Sequence, residues 1–398
     1  MTTLPEDSFR GRYGFAREDV TLATWRTAPY MRWSFANVAE LVPSAAIEAA
    51  PGRSEPPLAD AGWLLGEKVE LSGGGTTVRA FLESCDTDAF VVMKSGRFVA
   101  DHHAPLARPE DRHIVFSISK SLTAILAGTL EDEGRLDPAA SVTDYVPEMA
   151  GSAYADATVR QVLDMRISVA IEETYLDPLS AYGRYRRAML WNPPLPGEEA
   201  ETMLGFLASL EKTEEPHGGA FHYRSPNSDL LGIIVERAAG QRYADLMRDR
   251  LWKGVGAHSD GLVTVDRAGT ARAAGGVSMT ARDLARVGDM MRLGGLGAGG
   301  RVVSERWVRD TLEKGDRGAW KAGDFPHFFK EGSYRSKWYA SGLPGGAFCA
   351  IGIHGQWLYV DPSAEMTIVR LSSQPLPVDD PVDLDCLRLC AAIAERLR

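Results

Sequence analysis

The order in which hydrophobic periodicities change along the chain limits its fold more than any other feature. The apolar run Ala89-Phe90-Val91-Val92-Met93, a Ser95-Gly96-Arg97 turn and Phe98-Val99-Ala100-Asp101 read as a β-hairpin. A similar pattern returns near the other end: residues 355–361, a Pro362-Ser363 turn and residues 366–371 predict strands, followed by an amphipathic helix over 383–398. Between them, Ile114-Val115-Phe116 leads into a stretch where Leu122, Ile125, Leu126 and Leu130 recur at helical spacing, with a stop near Gly134. From about 137 to 275 the expected elements are mostly helices, including 158–165 and 228–239. The second of these has Ser225 as N-cap, Pro226 at its first position and Gly240 just past its end. Another helix follows Thr280, with Asp283 three residues on in a capping-box-like arrangement. Sheet at both ends with helices between predicts an α/β (α+β) chain. Residues 1–135 and 276–398 form a sheet domain, and 136–275 form a mostly helical insert. Up to Val78 the chain is Pro-rich and weakly periodic, with Trp25, Trp33 and Phe35 expected to pin it onto a core.

A length of 398 residues supports one large core or two interleaved domains, and 44% hydrophobic with 25% charged residues leaves no room for a long disordered tract. The formal net charge of -10 excludes nucleic acid and anionic membrane as expected partners, because both need a basic surface. A small-molecule substrate is expected instead. The segment from Met1 to Phe15 carries Glu6, Asp7, Arg10 and Arg12 and no apolar core, and no apolar run elsewhere reaches bilayer length, so the expected location is cytoplasmic. Cys85, Cys349, Cys386 and Cys390 show neither Cys-x-x-Cys pairing nor zinc-ligand spacing, so they are expected as buried free thiols, with no metal and no cofactor. The oligomeric state is left open, a homodimer included.

A serine hydroxyl needs a base within hydrogen-bond reach before it attacks a carbonyl. Ser117-Ile118-Ser119-Lys120 meets this locally, since positions three apart share a helix face and the helix start favours developing negative charge. A second Ser-x-x-Lys, Ser209 to Lys212, is followed by Thr213-Glu214-Glu215-Pro216 and reads as a solvated helix end. Tyr223 stands in a loop just before the helix that Ser225 begins. A tyrosine so placed is ordinarily a packing residue with a bonded hydroxyl, and becomes a candidate only beside the serine and lysine. Ala350-Ile351-Gly352-Ile353-His354-Gly355 supplies glycines that permit close approach of a substrate to the backbone, as an oxyanion hole requires.

Taken in order, Ser117-x-x-Lys120, Tyr223-x-Ser225-x-Asn227 and Gly352-Ile353-His354-Gly355 resemble the class C β-lactamase, D-peptidase and esterase superfamily, and within it the nylon-oligomer hydrolase branch. Arg32-Trp33-Ser34-Phe35-Ala36, Tyr175-Leu176-Asp177-Pro178, Gly275-Gly276-Val277-Ser278 and Leu371-Ser372-Ser373 extend the likeness over nearly the whole chain. The resemblance implies the penicillin-recognising serine hydrolase fold, an antiparallel sheet flanked by helices with a helical insert. It implies that Ser117 attacks the carbonyl, that Lys120 accepts its proton and that Tyr223 relays the proton to the leaving group. It also implies an oxyanion hole from the amides of Ser117 and Ile353 and a substrate-closing loop bearing Tyr175. Further substrate contacts would come from Arg186, Ser225, Asn227, His354 and Tyr339.

Two departures bear on the substrate. Where that branch carries an aspartate for the substrate's ammonium end, the matching residue is Arg186, and Ala274 replaces a polar residue. A neutral or anionic group near Arg186 is therefore expected. The Lys-Thr-Gly triplet of β-lactamases is absent; Lys94-Ser95-Gly96 precedes the nucleophile and reads as a hairpin turn, which argues against efficient antibiotic hydrolysis. Gly295-x-Gly297-x-x-Gly300 follows a helix rather than a strand and reads as a flexible turn, not a dinucleotide site. Asp101-His102-His103 with His113 reads as histidines at the surface and not as a metal site, and no Gly-x-Ser-x-Gly elbow occurs. Three functions remain: hydrolysis of an ester or amide through an acyl-serine, transfer of the same acyl group to an amine acceptor, and a non-catalytic binding protein of this fold.

Overall fold

The computed structural model describes residues 6–50, 58 and 62–398; parts of the amino-terminal and Pro-rich stretches read above, 1–5, 51–57 and 59–61, lie outside the described residues. Its main sheet is antiparallel and seven-stranded, in the spatial order Ser333–Arg335, Trp338–Ala340, Phe348–Gly352, Gln356–Asp361, Met366–Ser372, Thr87–Lys94, Arg97–His103. Both predicted hairpins are present, and the last strand of the chain pairs with the first of them, Val369 opposite Val91. This is what joins the two ends of the sequence in one sheet.

The continuous apolar runs are explained by burial on both faces, which removes the need for polar alternation. Val91 and Met93 point into one core with Leu358, Val360 and Val369, while Phe90 and Val92 point into the other with Trp357, Tyr359 and Ile368. The helix Ala281–Arg292 covers the first face. It comes so near that a Cβ on Gly288 would fall 2.5 Å from Thr367 Cγ2, so glycine sets that spacing. The carboxy-terminal helix Asp380–Leu397 supplies Cys386, Leu389, Cys390 and Ile393 to the second core. All four cysteines are free and buried, as expected.

The helix Ile118–Asp132 lies between this sheet and the helical part, and every residue from Ile118 to Leu130 is buried. A helix sunk on all sides must satisfy its polar side chains internally. Ser121 donates to Lys337 O at 2.7 Å, Thr123 donates to Ser119 O at 2.8 Å, and Ser119 Oγ accepts from the Val277 amide at 3.1 Å. Against it packs Pro226–Ala239, ended by Gly240 in the left-handed conformation at φ 61°.

Residues 136–275 hold mostly helices and one strand, Gly261–Thr264. That strand pairs with Ser44–Ile47 and Val277–Met279 in a four-stranded sheet completed by His113–Ile114. Trp25, Trp33 and Phe35 are buried in the first core. Two caps differ from expectation. Ser225 precedes its helix but is itself helical, φ -55° and ψ -37°, so its side chain caps nothing. Thr280 does cap its helix, yet Asp283 turns its carboxylate to the amides of His258 and Ser259 instead of closing a capping box. Ser209 ends a helix, and Lys212 forms a surface pair with Asp156, as read for the second Ser-x-x-Lys. The 295–300 turn is closed by two-residue strands, Leu296–Gly297 and Gly300–Arg301. Asp101 is taken up by His103 and Arg282. Among the described residues no helix is long and apolar enough to cross a membrane.

Candidate active site

Ser117 stands at the N-cap of Ile118–Asp132, and the residue before it is strained. Phe116 has φ 42°, a left-handed conformation that a bulky non-glycine residue adopts only when its surroundings enforce it. Those surroundings are aromatic. Phe35 lies 4.9 Å from the Phe116 ring, His354 5.4 Å, Trp191 6.0 Å and Trp25 6.4 Å, and Trp25 is tied by its indole N–H to Trp191 O at 3.0 Å. The Pro-rich amino-terminal region therefore has a structural task that its own pattern does not disclose: it clamps the residue that aims Ser117. On the other side the strand Phe348–Gly352 reaches the same point. A Cβ on Gly352 would lie 2.7 Å from Val115 O and 3.1 Å from the Ser117 amide nitrogen, so only glycine lets the two backbones approach.

Lys120 is buried one helical turn on. Its Nζ donates to Ser117 Oγ at 2.7 Å and to Ala274 O at 2.8 Å, and lies 4.9 Å from the centre of the Tyr223 ring. Burial is the main cause that brings its pKa down to about 7; Glu173 and Asp229 act against this and Arg272 with it. Tyr223 is also buried, and with Ser117 it lines the same cavity. Burial, followed by the charge of Glu173, pushes the Tyr223 phenol well above its ordinary value, so it stays protonated. The two groups are thus distinguished: the amine is half neutral near pH 7, and the phenol keeps its proton. Tyr223 is fixed from behind by its own amide, which donates to Asp324 Oδ2 at 2.7 Å.

Ser117 and Tyr223 open into a cavity of about 350 Å³, at the small end of the range for small-molecule sites. Ile353, Tyr175 and Tyr339 line it, as the sequence reading expects. Arg186, Ser225, Asn227 and His354 do not. The Arg186 guanidinium donates to the Tyr175 carbonyl and lies over the Tyr182 ring at 4.9 Å, so it anchors the Tyr175 loop and is not part of the cavity lining. Ser225 gives its amide to Glu173. Asn227 is enclosed by Tyr154 and Met165. His354 is held by Gln374 O at 2.8 Å and wedged against Phe116, and burial takes its pKa down to about 3, so it remains neutral.

The sequence reading passes over Glu173 and Asp324, both in the cavity wall. Glu173 accepts from the Tyr175 hydroxyl and the Ser225 amide, bracing the loop against the Tyr223 segment. The acid pair Glu172-Glu173, separated from Tyr175 only by Thr174, is the available signal. Asp324 binds Tyr223, Arg224 and His222 from about a hundred residues away and leaves no local trace. Phe325 and Phe328 add an aromatic wall.

With this geometry in view, the chain compares as follows. The β-lactamase family profile matches residues 76–392. A 6-aminohexanoate-dimer hydrolase of Paenarthrobacter ureafaciens is 42% identical over 365 residues, covering 92% of this chain and 91% of that enzyme. A solved Bacillus anthracis structure assigned as a 6-aminohexanoate-dimer hydrolase superposes with a TM-score of 0.88 at 25% identity, over 96% of this chain and 98% of that one. A class C β-lactamase of Rhodobacter sphaeroides shares the fold, with a TM-score of 0.55 at 16% identity over 79% of this chain and 97% of that one. The helix-borne serine facing its cavity, the sheet built from both ends and the extent of these matches lead to one conclusion: the chain belongs to the β-lactamase family and is a serine hydrolase homologous to 6-aminohexanoate-dimer hydrolase.

Proposed function

We propose that the chain hydrolyses a small ester or amide through an acyl-enzyme on Ser117, with Lys120 as the base and Tyr223 as the proton relay. The observation that carries this reading is the 2.7 Å contact between Lys120 Nζ and Ser117 Oγ, made by an amine whose pKa is brought down to about 7. Neutral Lys120 takes the hydroxyl proton as Oγ bonds the carbonyl carbon. The oxyanion then faces the amides of Ser117 and Ile353. As the intermediate collapses, the Tyr223 hydroxyl gives its proton to the departing oxygen or nitrogen and is reprotonated from the Lys120 ammonium. Water repeats the sequence on the acyl-serine and releases the acid.

The cavity wall carries the carboxylates Glu172, Glu173, Asp324 and Asp383 against one guanidinium, Arg224. This balance favours a neutral or amine-bearing substrate over one with a carboxylate tail, and it replaces the expectation built on Arg186. Water is the proposed acceptor, with an amine as the alternative; product partition in added amines distinguishes them. A cytoplasmic place of action is part of the proposal, in keeping with four free buried thiols.

A fluorophosphonate probe tests the core of this reading. Ser117 is expected to be labelled and Ser117→Ala is not; label on any other serine removes the assignment.

A further inference from the structure

Behind the serine, amine and phenol lies a fully buried chain of groups that the proposed chemistry does not use. Asp229, on the helix Pro226–Ala239, is wholly buried and Arg272 nearly so. Asp229 Oδ2 accepts from Arg272 Nη1 and from the Tyr185 hydroxyl. Its other oxygen, Oδ1, accepts from the Ala274 amide at 2.8 Å. The carbonyl of that same Ala274 accepts from Lys120 Nζ at 2.8 Å, while Lys120 Nζ also reaches Ser117 Oγ at 2.7 Å.

We infer that Asp229 is a positioning residue for the base: its carboxylate fixes the Ala274 residue, whose carbonyl holds the Lys120 amine against Ser117. This deepens the proposed function and rests on Lys120 being the base. An amine that donates to two oxygens has its remaining directions defined, and a lysine side chain otherwise has several rotatable bonds to waste. Ala274 has no side chain of its own to orient its peptide, so the orientation must come from outside. A charged acceptor buried in the core does this more firmly than a neutral one.

The groups that face Lys120 are Ser117 on its own helix, Glu173 on the Tyr175 loop, Tyr223 ahead of the following helix, Asp229 and Arg272 behind, and Lys337 at the turn between Ser333–Arg335 and Trp338–Ala340. Asp229 and Arg272 act on the amine in opposite senses, the carboxylate raising its pKa and the guanidinium lowering it. That opposition gives a readout which a purely structural role cannot imitate.

The experiment measures kcat and KM against pH with a p-nitrophenyl ester. In Asp229→Asn the charge goes and Arg272 is left unopposed, so the acid limb is expected at lower pH, with the plateau of kcat down about tenfold and KM little changed. In Arg272→Gln the limb is expected at higher pH. Asp229→Asn strands a buried guanidinium and can fail to fold. Asp229→Leu/Arg272→Met replaces the pair by apolar groups of similar size, and is expected to keep the limb near its original place with kcat lowered tenfold or more. Limbs that stay put in both single variants, or move the same way, or a double variant with undiminished kcat, overturn the proposal. Failure of the underlying reading is separate: Lys120→Ala turning over at the parent rate would remove the base itself.

Discussion

If Lys120 is the base, the reaction must titrate as a buried amine does. Lys120 is fully enclosed and its pKa comes down to about 7, and only its neutral form can take the Ser117 proton. The neutral fraction is about one in eleven at pH 6, half at pH 7 and about ten in eleven at pH 8. Acylation should therefore fall about tenfold per unit below neutrality and rise about 90-fold between pH 5 and pH 8 before levelling. The sign follows from the base losing its proton as pH increases. An amine at the ordinary lysine value, near 10.4, would give a rate still climbing at pH 9. Tyr223 adds no second limb below that, since burial holds its phenol protonated. The assay is stopped-flow acylation by a p-nitrophenyl ester from pH 5 to pH 9.5, with Ser117→Ala supplying the background rate. A flat profile from pH 5 to 8, or one that keeps rising past pH 9, refutes the reasoning.

Three further outcomes are expected. Tyr223→Phe should lower the acylation plateau by about a hundredfold, the scale of lost acid catalysis, while leaving the acid limb in place; a shifted limb would make Tyr223 a titrating base. Gly352→Ala forces a Cβ to 2.7 Å from Val115 O, an overpacking that costs about 1–3 kcal/mol. Thermal unfolding should show a lower Tm and the ester assay a lower kcat, and an unchanged kcat would separate that backbone contact from oxyanion geometry. Arg186→Met should raise KM for neutral and anionic esters alike, because the lost bond is to the Tyr175 carbonyl; a loss confined to anionic esters would mean that the guanidinium meets the substrate.

Much of this site is legible in the sequence because its first two groups are neighbours. Ser117 and Lys120 are one helical turn apart, and the apolar stretch around them fixes the helix. Tyr223 could be found only through the order of three motifs, since nothing within its own loop separates it from a packing tyrosine. Strand residues such as Val91 and Val92 read correctly because burial on both faces writes a continuous apolar run. Asn227 and His354 read as substrate residues because a motif carries order and not direction: one side chain turns to Tyr154 and the other to Phe116. Asp324, Asp229 and Arg272 stayed hidden, because a buried polar contact between distant elements has no period. Ser225 illustrates a subtler limit: composition marks the helix start, but only φ and ψ tell whether the hydroxyl can turn back to cap it.

The helix that carries Ser117 and Lys120 is submerged from Ile118 to Leu130, whereas the walls in front of it come from loops around residues 172–175, 324–329 and 377–378. In the proposed mechanism, the attacking serine and its base thus sit in a part of the molecule with less tolerance for change than the walls that meet the substrate. Variation in the peripheral segments can retune what enters without disturbing how the bond is cut, and a lineage built this way can acquire new substrates while its chemistry stays locked to its foldedness.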